Sequence, residues 1–484
     1  MRTILLILSL TLSLLAQEAQ ELTTLKGVVK KGRAPISSEV LRVKLPAATE
    51  TRLKNGLAVL VLEDHRAPTV SIEISIPAST LADPDDLSGL ADATADMLRL
   101  GTKTRNSRQL VETLAELGAS LNTSAASASR YTRVNVSTLI ENLDPVLELL
   151  ADVLLQPAFP QEELDKWRAR QLSGLQQART QPSFLANERL FQILYPDDAR
   201  RITNATPESL NKLTRQNLID FYGSHYTPVG SVAGVAGDVT SKLVTEKLEK
   251  YLGAWKGSAV QSPNLPLAPP IAKGKIVLIH RPGSVQTYLM AANRAIGRAS
   301  PDYYACTVMN RVLGQGPAAR LFRNLREEKG FTYSIGSSFT ATRYLNYFSA
   351  STSVRTEVTG PALEELLKEF KDIATRPVPT EELEGAKRAL VAGFALGLES
   401  SSGLLTQILT RREYGFPPDY WDRYPENLMK VTAADVQRVA ASYVPSANAQ
   451  IIAVGDAGKI AEVLGKFGEV EQFNAEGERI PAPK

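Results

Sequence analysis

Apolar and polar positions along this chain follow two periods, and the switches between them mark its elements. Leu57–Leu62 is a short apolar run, and Val70, Ile72, Ile74 and Ile76 alternate with smaller or polar residues, so two strands are expected there. Helical spacing follows over 86–100, 107–117 and 139–155. Leu110, Leu114 and Leu117 make one stripe, and Gly118 stands where a helix-ending glycine belongs. At the start, Arg2 and the apolar run Ile4–Leu15 read as a secretory signal peptide over 1–16, with a retained anchor as the alternative. The run is too short to span a bilayer, and no later stretch is long and apolar enough. Residues 17–48 are polar and basic without a period and are expected to form an extended arm.

The pattern then repeats. Pro160-Gln161-Glu162-Glu163-Leu164 returns as Pro379-Thr380-Glu381-Glu382-Leu383, 219 residues on. Pro207-Glu208-Ser209-Leu210 returns as Pro425-Glu426-Asn427-Leu428, and Gly237-Asp238 as Gly455-Asp456, both 218 on. The physical content agrees: Thr380 is expected to cap a helix, Pro207 to sit in a first helical turn, and Gly-Asp to close a buried strand. The expected architecture is α+β, two duplicated domains of mixed strands and helices at 49–255 and 276–470, with a tail over 471–484. Four prolines between 256 and 275 predict an extended linker, and two domains so joined can enclose a cavity.

Composition narrows the function. With 55 basic and 52 acidic residues the net charge is +3, which leaves no nucleic-acid footprint. The single cysteine, Cys306, excludes an intrachain disulfide and a cysteine metal cluster. His65, His225 and His280 lie too far apart to share a helix face, and neither a nucleophile elbow nor a phosphate loop is present. Within ARLFRNLREEKGFTYSIG, Lys329-Gly330 suggests a helix end, with Arg326 before it and Tyr333 opening a strand. The pair could offer a guanidinium fork and a phenol to a carbonyl becoming an oxyanion, or be a solvated arginine and a core tyrosine.

Asn55-Gly56-Leu57, Ser88-Gly89-Leu90-Ala91, Leu325-Arg326-Glu327-Glu328-Lys329-Gly330 and the duplication together resemble the pitrilysin/insulinase family of zinc peptidases, in its shorter bacterial form related to mitochondrial processing peptidase. The resemblance covers about residues 50–470. In that family the helix after Ser88-Gly89-Leu90-Ala91 carries His-x-x-Glu-His, two imidazoles for zinc and a glutamate that activates water. Here those places hold Asp92, Ala95 and Asp96. The family's further ligand glutamate is also missing, its helix holding Gln171-Leu172-Ser173-Gly174-Leu175. The resemblance therefore implies a degenerate metal site, with no metal and no cofactor in this chain. Two carboxylates four apart suit a hard cation, but no local loop supplies further oxygens, so acidic groups on a cavity wall are the plainer reading.

The resemblance further implies that Arg326 and Tyr333 assist substrate binding and catalysis. It places Asn122 and Thr123 on an edge strand that pairs with peptide, the alternative being a small-residue strand facing a domain contact. The function it implies is that of a zinc-free subunit of a heteromeric peptidase, periplasmic or secreted. A homologous partner would bear the zinc and the substrates would be peptides, with no nucleic acid and no membrane role beyond the signal peptide. The alternative is a catalytically silent pseudo-peptidase, structural or peptide-binding.

Overall fold

The computed structural model describes residues 41–126 and 128–481. The expected signal peptide and most of the arm lie outside the described residues. From Thr49 the chain builds a first half: β1 (Thr49–Arg52), β2 (Ala58–Glu63), β3 (Thr69–Ile76), α1 (Leu90–Met97), α2 (Ser107–Glu116), β4 (Ser120–Ala125), β5 (Thr132–Leu139), α3 (Leu143–Leu155), α4 (Gln161–Arg179), α5 (Pro182–Leu194), α6 (Pro207–Lys212), α7 (Arg215–His225), β6 (Val232–Gly237) and α8 (Ser241–Leu252). No helix or strand interrupts 256–271. The second half follows: β7 (Lys275–His280), β8 (Gln286–Arg294), α9 (Tyr303–Leu313), a π-helical stretch (Phe322–Glu328), β9 (Thr332–Ala341), β10 (Asn346–Arg355), α10 (Thr359–Thr375), α11 (Thr380–Leu396), α12 (Ser401–Tyr414), α13 (Tyr424–Lys430), α14 (Ala433–Tyr443), β11 (Gln450–Gly455), α15 (Ala457–Gly465), β12 (Val470–Phe473) and β13 (Arg479–Ile480).

The two sheets share a five-strand core, β2-β6-β3-β5-β4 in the first and β7-β11-β8-β10-β9 in the second, and differ in the strands that flank it. The first runs β1-β2-β6-β3-β5-β4 and the second β13-β12-β7-β11-β8-β10-β9. In each, the first apolar strand pairs in parallel with the Gly-Asp strand, β2 with β6 and β7 with β11. The Gly-Asp positions do close buried strands, and Pro207 starts α6 beneath a Thr206 cap. Three expectations change. Thr380 is the first residue of α11, not its cap, because Pro379 holds the extended cap position. Residues 471–484 are not simply a tail: β12 and β13 join the second sheet through β7. The helices expected over 86–100 and 139–155 begin later, at Leu90 and Leu143, since short 3-10 turns precede both.

The halves are locked by reciprocal helices. From the second half, α12 lays Leu404, Leu405 and Ile408 on Ala58, Leu60, Leu62, Val232 and Ala236 of the first sheet. From the first half, α5 lays Leu185, Leu190 and Leu194 on Val277, Ile279, Met290 and Ile452 of the second. This explains why β2 and β7 read as unbroken apolar runs, since each is covered on both faces. A buried leucine contributes roughly 1.5–3 kcal/mol, so each seam outweighs what a flexible linker alone would supply. Gly234 permits the approach of α12: a Cβ there would stand 2.7 Å from Leu405 Cδ1.

Candidate functional site

Helix α1 begins at Gly89, whose φ of 95° few side chains tolerate. Asp83 acts as its remote cap, Oδ2 accepting from the Gly89 N–H and Oδ1 from the Ala91 N–H, both at 2.9 Å. Burial, offset in part by those bonds, pushes the Asp83 carboxyl up to about 7. Of the three degenerate positions, Ala95 is 0% exposed within the core of the first half. Asp96 accepts from Trp167 Nε1 of α4 at 2.9 Å and lies 4.0 Å from Arg99. Asp92 reaches solvent, yet the wall of a cavity of about 30 Å³ that it shares with Asp83 and Asn204 crowds its other side. That loss of hydration, with the Asp96 charge second, pushes its carboxyl up to about 7.

Would these residues fit zinc? A catalytic zinc asks for three protein ligands converging on an open position. In α4, Trp167 points an indole at α1, Leu172 packs on the core, and Gln171, Ser173 and Gly174 face outward. The α4 carboxylates are engaged elsewhere, Glu163 with Lys166 and Asp165 with Arg168. Among the described residues, no group of three or more His, Cys, Asp or Glu is placed to hold a metal. The donor set does not fit zinc.

The second candidate lies in the other half. Arg326 belongs to the π-helical stretch and Tyr333 to β9, an edge strand. Their side chains meet: the Arg326 guanidinium carbon lies 4.9 Å from the Tyr333 ring centroid and 4.6 Å from that of Phe322. Tyr333 is 84% exposed and neither residue has an ion pair or hydrogen-bonded partner among the described residues, so both polar ends face solvent ready to donate. A β-bulge aims the tyrosine. Between Thr332, which pairs with Val354, and Ile335, which pairs with Thr352, Tyr333 and Ser334 together oppose Ser353. Thr332 Oγ1 donates to the Ser353 carbonyl at 2.8 Å, and buried Thr352 donates to the Ser334 carbonyl at 2.9 Å. The reading of Tyr333 as a core tyrosine fails, because the bulge turns it outward.

Strand β4 is the edge of the first sheet. Asn122 is exposed opposite Asn135 of β5. Thr123 points the other way, into the core at 6% exposure, with its hydroxyl unpartnered. As a peptide contact it can therefore offer only its backbone, because successive side chains alternate faces. The structure brings Arg326 and Tyr333 together. It leaves the α1 aspartates and β4 in the other half.

Phe322, Thr332, Thr352, Asp83 and Trp167 were not singled out from the sequence. Only Phe322, four before Arg326, carried a local signal.

Comparison with known proteins agrees with this fold. Residues 58–207 match the insulinase (peptidase family M16) profile, and residues 212–390 match the peptidase M16 inactive domain. The chain belongs to the insulinase family. An uncharacterized zinc protease of Bacillus subtilis is 22% identical over 73% of this chain and 85% of its own length. One of Streptomyces coelicolor is 25% identical over 74% of this chain and 79% of its own. Among solved structures, a peptidase M16 inactive domain from Pseudomonas fluorescens superposes with a TM-score of 0.78 at 25% identity, covering 84% of this chain and 98% of that one. A protease from Helicobacter pylori superposes at 0.77 and 19% identity, covering 85% of this chain and 100% of its own, and shows the shared fold. This insulinase-family chain keeps the duplicated fold while its metal helix carries no ligand set.

Proposed function

We propose that this chain is a catalytically silent member of the insulinase family that binds extended peptides and does not hydrolyse them alone. The observation that carries the reading is the filled metal helix, where Ala95 is core and Asp96 is tied to Trp167. The purified chain should hold well under one zinc per molecule and should leave quenched-fluorescence peptides uncut while binding them. Stoichiometric zinc with chelator-sensitive cleavage would overturn it.

A second reading is favoured by the exposed Arg326–Tyr333 pair, which a purely structural chain would not need. In it the chain is the zinc-free subunit of a periplasmic heteromer, and a homologous partner supplies the metal chemistry. Tyr333 and Arg326 would bind the scissile carbonyl and donate to its oxygen as negative charge develops. The apolar run Ile4–Leu15 supports export. Co-purification from the native source tests it: a bound homologue bearing His-x-x-Glu-His is the expected result, and a chain that elutes alone and ignores such homologues counts against it.

A further inference from the structure

A cavity of about 420 Å³ lies on the open face of the first sheet, against the end of α12, so both halves wall it. The sheet contributes Glu73 and Ser75 of β3 and Arg133 of β5, the turn before β5 contributes Arg130, and α12 contributes Arg412 and Glu413. Most of these charges are already matched. Arg133 pairs with Glu73 at 3.4 Å, and Arg412 pairs with Glu50. Arg343 spends a long 3.4 Å bond on the Glu413 backbone carbonyl.

Arg130 and Glu413 are the exceptions. The Arg130 guanidinium stacks on Tyr131, carbon to centroid 5.0 Å, and makes no direct ion pair among the described residues, although its charge reaches Glu413. Its Nε is buried without an acceptor. A buried guanidinium N–H left unmade is costly, which marks the place where an anion belongs. The turn that holds it is braced. Ala128 stands at φ 49°, its N–H bonded to Thr80 Oγ1 at 3.0 Å, and Ser79 Oγ donates to the Ser129 carbonyl at 2.5 Å. The carboxyl of Glu413 makes no direct ion pair among the described residues; burial raises its pKa, against the lowering charges of Arg133, Arg130 and Arg343. Arg133 stands level with Ser124 on edge strand β4, so it lies about two strand spacings, roughly 10 Å, from a peptide added there, and Arg130 precedes it by three residues in the adjoining turn.

We propose that this cavity is a carboxylate-binding subsite, in which Arg130 takes an acidic side chain or the terminal carboxylate of a peptide lying against the first sheet. The proposal rests on the peptide-binding reading and names its chemistry. The test is fluorescence anisotropy on the isolated chain with rhodamine-labelled peptides of one length. One glutamate is kept or replaced by glutamine, and the C-terminus is free or amidated. The carboxylate-bearing peptides should bind about tenfold tighter, the usual scale of a charge-assisted bond, and the arm that loses affinity identifies the source. Arg130→Gln should abolish the preference and leave the carboxylate-free peptide unchanged. Arg130→Lys replaces it if the glutamine variant does not fold, and should reduce the preference by removing the bidentate fork. Equal affinities in the wild type, or a preference untouched by the Arg130 change, would overturn the proposal. If no peptide binds, the peptide-binding reading fails by itself. The subsite is then judged by glutarate, which should raise Tm above equal-ionic-strength chloride in the wild type but not in the Arg130 variant. No such difference rejects the subsite.

Discussion

Strand β4 ends the first sheet and β9 the second, and each is entered from a helix through a left-handed glycine, Gly118 at φ 56° and Gly330 at φ 61°. The helices close differently. The Leu114 carbonyl takes the Ala119 N–H five residues on, whereas the Leu325 carbonyl takes the Phe331 N–H six residues on. The second half thus carries one extra residue there, absorbed as a π-helical stretch, a form concentrated at functional sites. Asn324 anchors that stretch to Glu365 and Glu369. The bulge in β9 has no counterpart in β4, which pairs with β5 in unbroken register. Three residues past each glycine, the first half buries Leu121 and the second exposes Tyr333. One shared core therefore yields a plain edge in one half and an aimed Arg–Tyr pair in the other. The free edges differ too: the Ser337 N–H of β9 is taken by the Gly314 carbonyl at 3.0 Å, while no bond outside the sheet engages the backbone of β4 among the described residues. On the proposed peptide-binding reading, strand addition would therefore fall to β4.

The comparison can be broken at its most buried point first. Ala95→Glu, alone or with Asp92→His and Asp96→His, puts a carboxyl where the first half is fully packed, and should cost about 3–5 kcal/mol by denaturant unfolding. The triple variant should still bind zinc weakly by chelator competition, because α4 offers no third ligand. Tight binding would show that the halves differ less than their side chains suggest.

Next in size, Tyr333→Phe and Arg326→Ala in the chain assembled with a zinc-bearing homologue should each lower kcat by about 10²–10³. Gel filtration should show assembly intact, and KM should rise with the arginine change if it also binds substrate. Wild-type kinetics in both would leave only the silent reading.

Thr352→Val sharpens the role of the bulge. It removes the hydroxyl that donates to Ser334 while keeping volume, and should cut kcat about tenfold with KM little changed, Thr352→Ser restoring it. A fall in Tm with no change in kcat would make the bulge merely structural.

The smallest effect concerns α1. A folded-state pKa near 7, above the ordinary 3.8, means that the native chain gains from protonating Asp92 at low pH. That contribution is lost as pH rises from about 4 through 7. Asp92→Asn should therefore raise Tm by about 1 °C at pH 8 and by clearly less at pH 5, the exposure of Asp92 keeping the effect small. Equal shifts at both values would refute a raised pKa.

Much of this was legible in the chain. Alternation gave away β3, the apolar run β2, and the paired landmarks at 218 and 219 residues announced two copies of one fold. The missing ligands at Asp92, Ala95 and Asp96 could be read directly, because a metal site depends on residue types at short helical spacings. The tail over 471–484 misled because β12 and β13 are four and two residues long, too short for a periodic signal.

What the sequence determined by itself is local: which segments are strands or helices, that the fold is used twice, and that the metal helix has no ligands. The tertiary structure alone decided what those segments face. It packed Trp167 against Asp96 from 71 residues away, crossed α5 and α12 between the halves, and turned Thr123 inward. It exposed Tyr333 through a bulge pinned by Thr332 and Thr352, and left the buried Nε of Arg130 without an acceptor among the described residues. The physical reason is that periodicity reports burial along one element. Register shifts, bulges and contacts between distant helices are set by packing against neighbours that sequence order does not bring together.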